Sequence, residues 1–229
     1  MKKCVVLFSC GIDSTSALFW ALKKYETVQA LTFDYGQRHR IEIAMTKILT
    51  RKLKIPHKIL KVDLTQIGGS ALTDLNLPLP EHKEALESGP PLTYVPFRNG
   101  IFLSLAAAWA EVQGIQDIVC GFNVIDSPDY PDTRQEFVEA MEKAVNLGTK
   151  ASSSPKKFRI ITPFIDMKKS EIIRQGLSLG ADFSYSVSCY SGQEVPCEKC
   201  SSCALRRKAW QGVRMKDPLI IRLKKEGKL

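Results

Sequence analysis

Along this chain, short runs of consecutive apolar residues alternate with segments whose apolar positions recur every three or four residues. Cys4-Val5-Val6-Leu7-Phe8 is an unbroken apolar run and predicts a strand buried on both faces. Residues 15–24 predict a helix and residues 30–33 a second strand. Ile41, Ala44, Met45, Ile48 and Leu49 fall at helical spacing and predict a second helix that ends before Pro56. Residues 58–62 predict a third strand. This order implies a parallel sheet and an α/β fold. Residues 64–94 break the rhythm with Gly68, Gly69, Pro78, Pro80, Pro90 and Pro91, and predict a long lid-like excursion over the sheet edge. Periodicity returns with a helix over 101–112, a strand at 117–121, a helix over 133–146, a strand at 159–162 and a helix over 170–179, closed by Gly180. The chain therefore divides into a main unit, residues 1–180, and a cysteine-rich, basic segment, residues 181–229, packed against it. No internal repeat or low-complexity run interrupts this plan.

Composition narrows the class. With 229 residues, 44% hydrophobic and 25% charged, the chain fits one α/β domain with an appendage and excludes bulk disorder. No apolar run approaches the ~20 residues that span a bilayer. Met1-Lys2-Lys3 has the basic opening of a signal peptide, but Ser9, Cys10, Gly11 and Asp13 end the apolar stretch too soon, so a soluble, cytoplasmic protein is expected. The net charge of +9 is concentrated at the end, where residues 199–229 hold ten Lys and Arg against two acids. Such a tail can attract nucleic acid. With Trp210 as its one aromatic residue, it reads better as a solvated end that offsets bound thiolates or phosphates.

The junction after the first strand carries Ser9-Cys10-Gly11-Ile12-Asp13-Ser14-Thr15-Ser16. A strand that turns into a helix through small residues leaves backbone N–H groups pointing outward, and the helix dipole adds to their pull on an anion. The hydroxyls of Ser9, Ser14 and Thr15 supply further donors. Asp13 suits this place if it orients Mg²⁺ or a ribose hydroxyl. The alternative is an ordinary strand–helix turn. The run lacks G-x-x-x-x-G-K-[ST] and is not the usual P-loop. It resembles the S-G-G-x-D-S signature of the PP-loop ATP pyrophosphatases, which cleave ATP at its α-phosphorus. The resemblance implies a Rossmann-like, parallel-sheet fold of the adenine nucleotide alpha-hydrolase type, with Phe8, Ser9, Cys10, Gly11, Ile12, Asp13, Ser14, Thr15, Ser16, Ala17 and Leu18 around the nucleotide. Cys10 stands where the signature has Gly. If the site needs positive φ, Cys costs about 1 kcal/mol there. It also puts a thiol near a helix N-terminus, where its pKa tends to fall.

Seven cysteines, an odd number, argue against a disulfide framework. Cys189, Cys197, Cys200 and Cys203 follow the spacing Cys-x7-Cys-x2-Cys-x2-Cys. Four soft ligands at this spacing point to one structural Zn²⁺, with all coordination positions filled. An iron–sulfur cluster or free buried thiols are the alternatives.

Further stretches resemble one PP-loop family, the 7-cyano-7-deazaguanine synthases. They are Asp34-Tyr35-Gly36-Gln37-Arg38-His39 with Glu42, Tyr94-Val95-Pro96 with Arg98-Asn99, Asp126 with Tyr130-Pro131-Asp132 and Arg134, Thr162-Pro163 with Lys169 and Glu171, and Ser188-Cys189-Tyr190. Phe97, Pro128, Asp129 and Thr133 depart from the family pattern and would add bulk or charge beside a purine pocket. The resemblance implies that 7-carboxy-7-deazaguanine and ammonia are converted to the nitrile through adenylated acid and amide intermediates, releasing AMP and diphosphate in queuosine biosynthesis. It implies Asp13, Lys169 and Arg98 as catalytic residues, with Arg98, Asn99, Asp126, Tyr130, Asp132 and Arg134 around the deazapurine. Lys169 would stabilise the α-phosphorus, or else be one more exposed lysine. Arg98 would clamp the substrate carboxylate, or sit in a surface ion pair. Asp132 would accept the paired N–H donors of a guanine-like edge, or serve as the acid at the N-terminus of the helix over 133–146. His39, His57 and His82 are given no chemistry. Zn²⁺, Mg²⁺, ATP as substrate and a homodimer complete the expectation, with no membrane and no stable nucleic-acid partner. The competing readings are a paralogue that stops at the amide or takes a related deazapurine, a tRNA-base-modifying relative, and a zinc module that binds nucleic acid through its tail.

Overall fold

Five apolar runs become five strands of one all-parallel sheet: β1 (Lys3–Leu7), β2 (Thr27–Asp34), β3 (His57–Lys61), β4 (Asp117–Val119) and β5 (Arg159–Ile161), in the order β3-β2-β1-β4-β5. The computed structural model describes residues 2–81, 89–125 and 129–229. Seven α-helices accompany the strands among these residues: α1 (Ile12–Lys24), α2 (Ile41–Leu53), α3 (Arg98–Gln113), α4 (Gln135–Gly148), α5 (Lys169–Ser178), α6 (Ser201–Val213) and α7 (Pro218–Lys225). The two-residue alternation of β1 splits the core. Cys4, Val6 and Phe8 face α1, α2, α5, α6 and α7, while Val5 faces α3 and α4 with Leu31, Ile118 and Ile160.

The expected strands and helices all appear, with shifted ends. α1 starts at Ile12 rather than at residue 15, because Gly11 supplies an extended N-cap (φ −71°, ψ 168°). α4 starts at Gln135, after a separate 3₁₀ turn over Pro131–Thr133. The basic tail holds two helices that its charge pattern conceals. Asp217 caps α7 by accepting the Leu219 N–H at 3.0 Å, with Pro218 in the first turn. Leu219 and Leu223 are fully buried in the β1–α1 core, beside Trp210 of α6. These two leucines dock on their own chain.

Described parts of the 64–94 excursion are tied down rather than loose. Arg38 donates its backbone N–H to Leu72 O (2.8 Å) and its Nη2 to Asp74 O (3.0 Å) and Leu77 O (2.9 Å). Glu81 forms a single antiparallel bridge with Cys200. Asp126, Pro128 and His82 lie outside the described residues.

Candidate nucleotide and deazapurine cleft

Strand order reverses between β1 and β4, and a crevice opens beyond the C-terminal ends of strands at such a switch point. A cleft of about 320 Å³ lies there, walled by the loops after β1, β2 and β4 and by the starts of α3 and α5. No side chain caps α1, so its first-turn amides remain available to an anion. Ser9 and Ser14 brace the loop through hydroxyls 3.1 Å apart, and Ser14 Oγ donates to Gly11 O at 3.2 Å. Gly121, just past β4, lets the chain close on this loop. A Cβ there would lie 2.7 Å from the Asp13 carbonyl carbon and the Ser14 nitrogen. Sequence reasoning missed this residue, although a glycine directly after a short buried strand was the available signal.

Of the eleven residues expected around the nucleotide, Phe8, Ser9, Gly11, Ile12, Asp13 and Ser14 line the cleft. Cys10, Thr15, Ser16, Ala17 and Leu18 are fully buried, and their side chains are not on its wall. Cys10 takes φ +63°, so the signature's glycine position does need the left-handed region. The expectation of a lowered thiol pKa is overturned. Cys10 Sγ turns into the core and donates to Tyr185 O at 3.3 Å, and burial pushes the thiol up. Cys10 O accepts the Val187 N–H at 3.1 Å. The strained residue thereby joins the loop to the segment leading into the cysteine cluster.

Lys169, the first residue of α5, reaches across to Asp13, with Nζ 2.7 Å from Oδ2. The other oxygen, Asp13 Oδ1, is buried without a partner, a position suited to a cation or a ribose hydroxyl. Glu171 Oε2 accepts the Lys168 N–H at 2.8 Å and fixes the start of that helix.

A second cluster forms where three segments meet. Arg98, at the start of α3, donates Nη1 to Tyr35 Oη at 3.3 Å. Tyr35 Oη lies 3.4 Å from His39 Nε2, and the same nitrogen lies 3.4 Å from Glu42 Oε2. The Tyr190 ring packs on His39 at 6.0 Å. Burial raises Glu42 to about 8, with Arg98 pulling it back, and burial lowers His39 to about 3. His39 thus belongs to the cleft wall, unlike His57, whose ring bridges Thr32 (2.8 Å) and Thr50 (3.2 Å) inside the fold. Spacing along the chain cannot disclose this cluster, because Arg98 and Tyr190 arrive from distant segments.

Expected deazapurine residues separate. Arg98, Asn99 and Tyr130 line the cleft, and Tyr130 Oη is 2.9 Å from Thr93 Oγ1. Asp132 is buried behind the wall, where Oδ2 accepts the Asn99 N–H at 3.0 Å and Asn99 Nδ2 donates to Asp132 O at 3.0 Å. The acid thus ties the 3₁₀ turn before α4 to the first turn of α3, which is neither of the two roles expected of it. Arg134 is exposed and off the cleft wall. Among the departures, Thr133 lines the cleft, while Phe97 does not. At φ +53° the Phe97 ring lies across Gly100 and edge-on to Phe137, 6.0 Å away, so its bulk does not enter the pocket.

The four clustered cysteines place their sulfurs within 4.8 Å of one another, and the set can hold a metal ion. A tetrahedron built on Zn–S bonds of about 2.3 Å has edges of about 3.8 Å, so the donors fit a single ion. Cys200 occupies the N-cap position of α6 and Cys203 lies in its first turn, where the helix dipole favours thiolates. Glu198 at φ +61° turns the chain between Cys197 and Cys200. Next to this centre, Ser188, Tyr190, Ser202, Leu205 and Arg206 complete the cleft wall, and Arg206 is fixed by Asp217 through Nη2–Oδ1 at 2.8 Å.

Known proteins match the chain along nearly its whole length. The chain is 45% identical over 221 residues to the 7-cyano-7-deazaguanine synthase of Methylococcus capsulatus, covering 95% of this chain and 98% of that protein. It is 44% identical over 225 residues to the synthase of Dechloromonas aromatica, covering 97% and 99%. Among solved structures, a 4-thiouridine synthetase–RNA complex with bound ATP superposes with a TM-score of 0.52 at 20% identity, covering 99% of this chain and 53% of that one. That likeness is one of fold. The family model described as Queuosine biosynthesis protein QueC matches residues 3–214, and the chain belongs to that family.

Proposed function

We propose that this chain converts 7-carboxy-7-deazaguanine and ammonia to 7-cyano-7-deazaguanine, consuming two ATP and releasing AMP and diphosphate. The observation that carries this reading is the uncapped start of α1 facing the Asp13–Lys169 pair in a cleft at the switch point. A carboxylate is a poor acceptor for ammonia, because its carbon is electron-rich and oxide is a poor leaving group. Attack of the carboxylate on the α-phosphorus makes an acyl adenylate and expels diphosphate. The amides of Ile12, Asp13 and Ser14 hold the departing phosphates, and Lys169 neutralises charge at the α-phosphorus. Asp13 Oδ1 is placed to hold Mg²⁺, whose chemistry is neutralisation of the phosphate oxygens. Arg98 orients the substrate carboxylate, with Asn99 and Tyr130 beside the ring. Asp126 and Arg134 remain part of the expected pocket by family resemblance. Ammonia comes from solution, in a cytoplasmic homodimer.

The cysteines would hold Zn²⁺ as a closed structural centre, since sulfurs this close suit one ion rather than a larger cluster. Residues 1–180 and 181–229 act as one unit, supported by the core that Trp210, Leu219 and Leu223 share with β1 and α1.

Incubation with ATP, Mg²⁺, ammonium and 7-carboxy-7-deazaguanine tests the reading. AMP and a nitrile are expected. ADP as the nucleotide product overturns the α-phosphorus chemistry, and a base heavier by one water shows a reaction that stops at the amide.

A further inference from the structure

Making a nitrile from an acid and ammonia releases protons at nitrogen. Ammonia adds its lone pair to the acyl adenylate, the C–O bond to AMP breaks, and nitrogen loses one proton. The amide oxygen then displaces diphosphate from a second ATP. As the second C–O bond breaks to release AMP, nitrogen loses its two remaining protons and the C≡N bond forms. Each step needs an acceptor close to the reacting nitrogen. Among the described residues that line the cleft, two are carboxylates. Asp13 is engaged with Lys169 and belongs to the phosphate end of the chemistry. Glu42 has no such assignment.

Glu42 is the second residue of α2, and its side chain keeps 15% of its surface open on the cleft wall. The groups that face its cluster are His39 and Tyr35 from the segment after β2, Arg98 from α3, Tyr190 from the cysteine-rich segment and the buried Cys10 thiol of the phosphate loop. Arg98, expected to orient the carboxylate being converted, stands beside it. The acid is thus next to the side chain expected to hold the reacting carboxylate, and it is on a different helix from Lys169.

We propose that Glu42 is the proton acceptor for both nitrogen steps, taking the proton that ammonia sheds on amide formation and, in turn, the two that the adenylated amide sheds. Between steps it returns each proton to solvent through the open cleft. The inference rests on the deazapurine nitrile chemistry proposed above. Burial supports it by raising the carboxyl to about 8, near the pH at which a general base is most effective. A carboxylate of raised pKa is a stronger base toward a nitrogen proton than one of ordinary pKa.

The test compares Glu42→Gln with the native enzyme in two assays, with and without nitrogen chemistry. Exchange of labelled diphosphate into ATP, driven by 7-carboxy-7-deazaguanine without ammonia, reads adenylation and also reports that the variant is folded. Conversion of the 7-amide to the nitrile reads proton removal without the pH dependence of free ammonia. The expected result is exchange within about threefold of native and nitrile formation reduced about 100-fold or more. The native enzyme should gain rate as pH rises through about 8, and the variant should lose that rise. Glu42→Asp should recover part of the rate and the pH profile. Equal losses in both assays, an unchanged pH profile, or a rise in KM at constant kcat would each overturn the proposal. A native enzyme with no acid-dependent exchange would instead overturn the functional reading on which it rests.

Discussion

The cleft holds two ionic clusters of contrasting design. Asp13 and Lys169 pair directly at 2.7 Å with side chains about a fifth exposed (20% and 18%), and Asp13 keeps one oxygen unpartnered. A pair that opens onto the cleft, with one acid oxygen unpartnered, lets an arriving triphosphate take the lysine and leave the acid to a cation. Around Glu42, His39 and Tyr35 the walls are drier, with side-chain exposures of 15% and 6% for the acid and the imidazole. There burial drives Glu42 and His39 toward their neutral forms, and Arg98 carries the remaining charge. The first cluster is built to exchange partners, the second to hold or release a proton at the edge of the cleft.

If that contrast is correct, mutations separate activity from stability in one cluster and couple them in the other. Lys169→Ala should lower the rate of AMP formation about 10³-fold, while the melting temperature shifts by less than about 2 °C. Chromatography of the nucleotides and a thermal scan give both numbers. Near-native AMP formation removes Lys169 from the mechanism. Arg98→Met should reduce deazapurine turnover and also cost about 2 kcal/mol in urea unfolding, because Tyr35 loses a charge-assisted donor in a buried setting. A variant of Arg98 that loses activity at native stability would make the two clusters alike.

The first cluster was largely legible in the sequence and the second was not. Ser9 to Ser14 is a local motif, read from one strand, one turn and one helix start. Lys169 was named because it opens a helix within a family-like stretch. The five strands were legible because a parallel sheet covered on both faces needs unbroken apolar runs. Cys10 shows where that reading ends. The motif raises positive φ there only as a condition, and the orientation of the side chain depends on Tyr185 and Val187, some 175 positions away. The bond of Asp132 to Asn99 was hidden for a similar reason, since the two residues are 33 positions apart. The apolar residues Leu219, Ile220, Ile221 and Leu223 of the tail are legible as an interface or a docking surface on their own domain, but the helices that carry them are not read from the sequence, although Asp217-Pro218 is a readable cap.

The pH dependence of stability sharpens the contrast with a smaller effect. Glu42 titrates near 4.5 when unfolded and near 8 when folded, so the folded state binds the proton more tightly. Its contribution is fully present below about 4.5 and is lost as pH rises through 8. Glu42→Gln should remove this decline, changing the alkaline limb of stability by a few kcal/mol at most. Urea unfolding at pH 5 and pH 8.5 measures it. An unchanged decline would place the titrating group elsewhere.

Phe97→Gly is the mildest of these tests, because it touches neither cluster. Relief of a left-handed φ on a bulky residue is worth about 1 kcal/mol. The lost contact with Phe137 and the greater freedom of glycine in the unfolded chain work against it. The two contributions nearly cancel, so stability should move by less than about 1 kcal/mol in either direction. Because the ring lies over Gly100 and not on the cleft wall, KM for the deazapurine should stay within about twofold of native. A larger change in KM would mean that the start of α3, where Arg98 and Asn99 sit, is set by what packs behind it. The dry cluster would then owe its geometry to Phe97 as well as to its own hydrogen bonds.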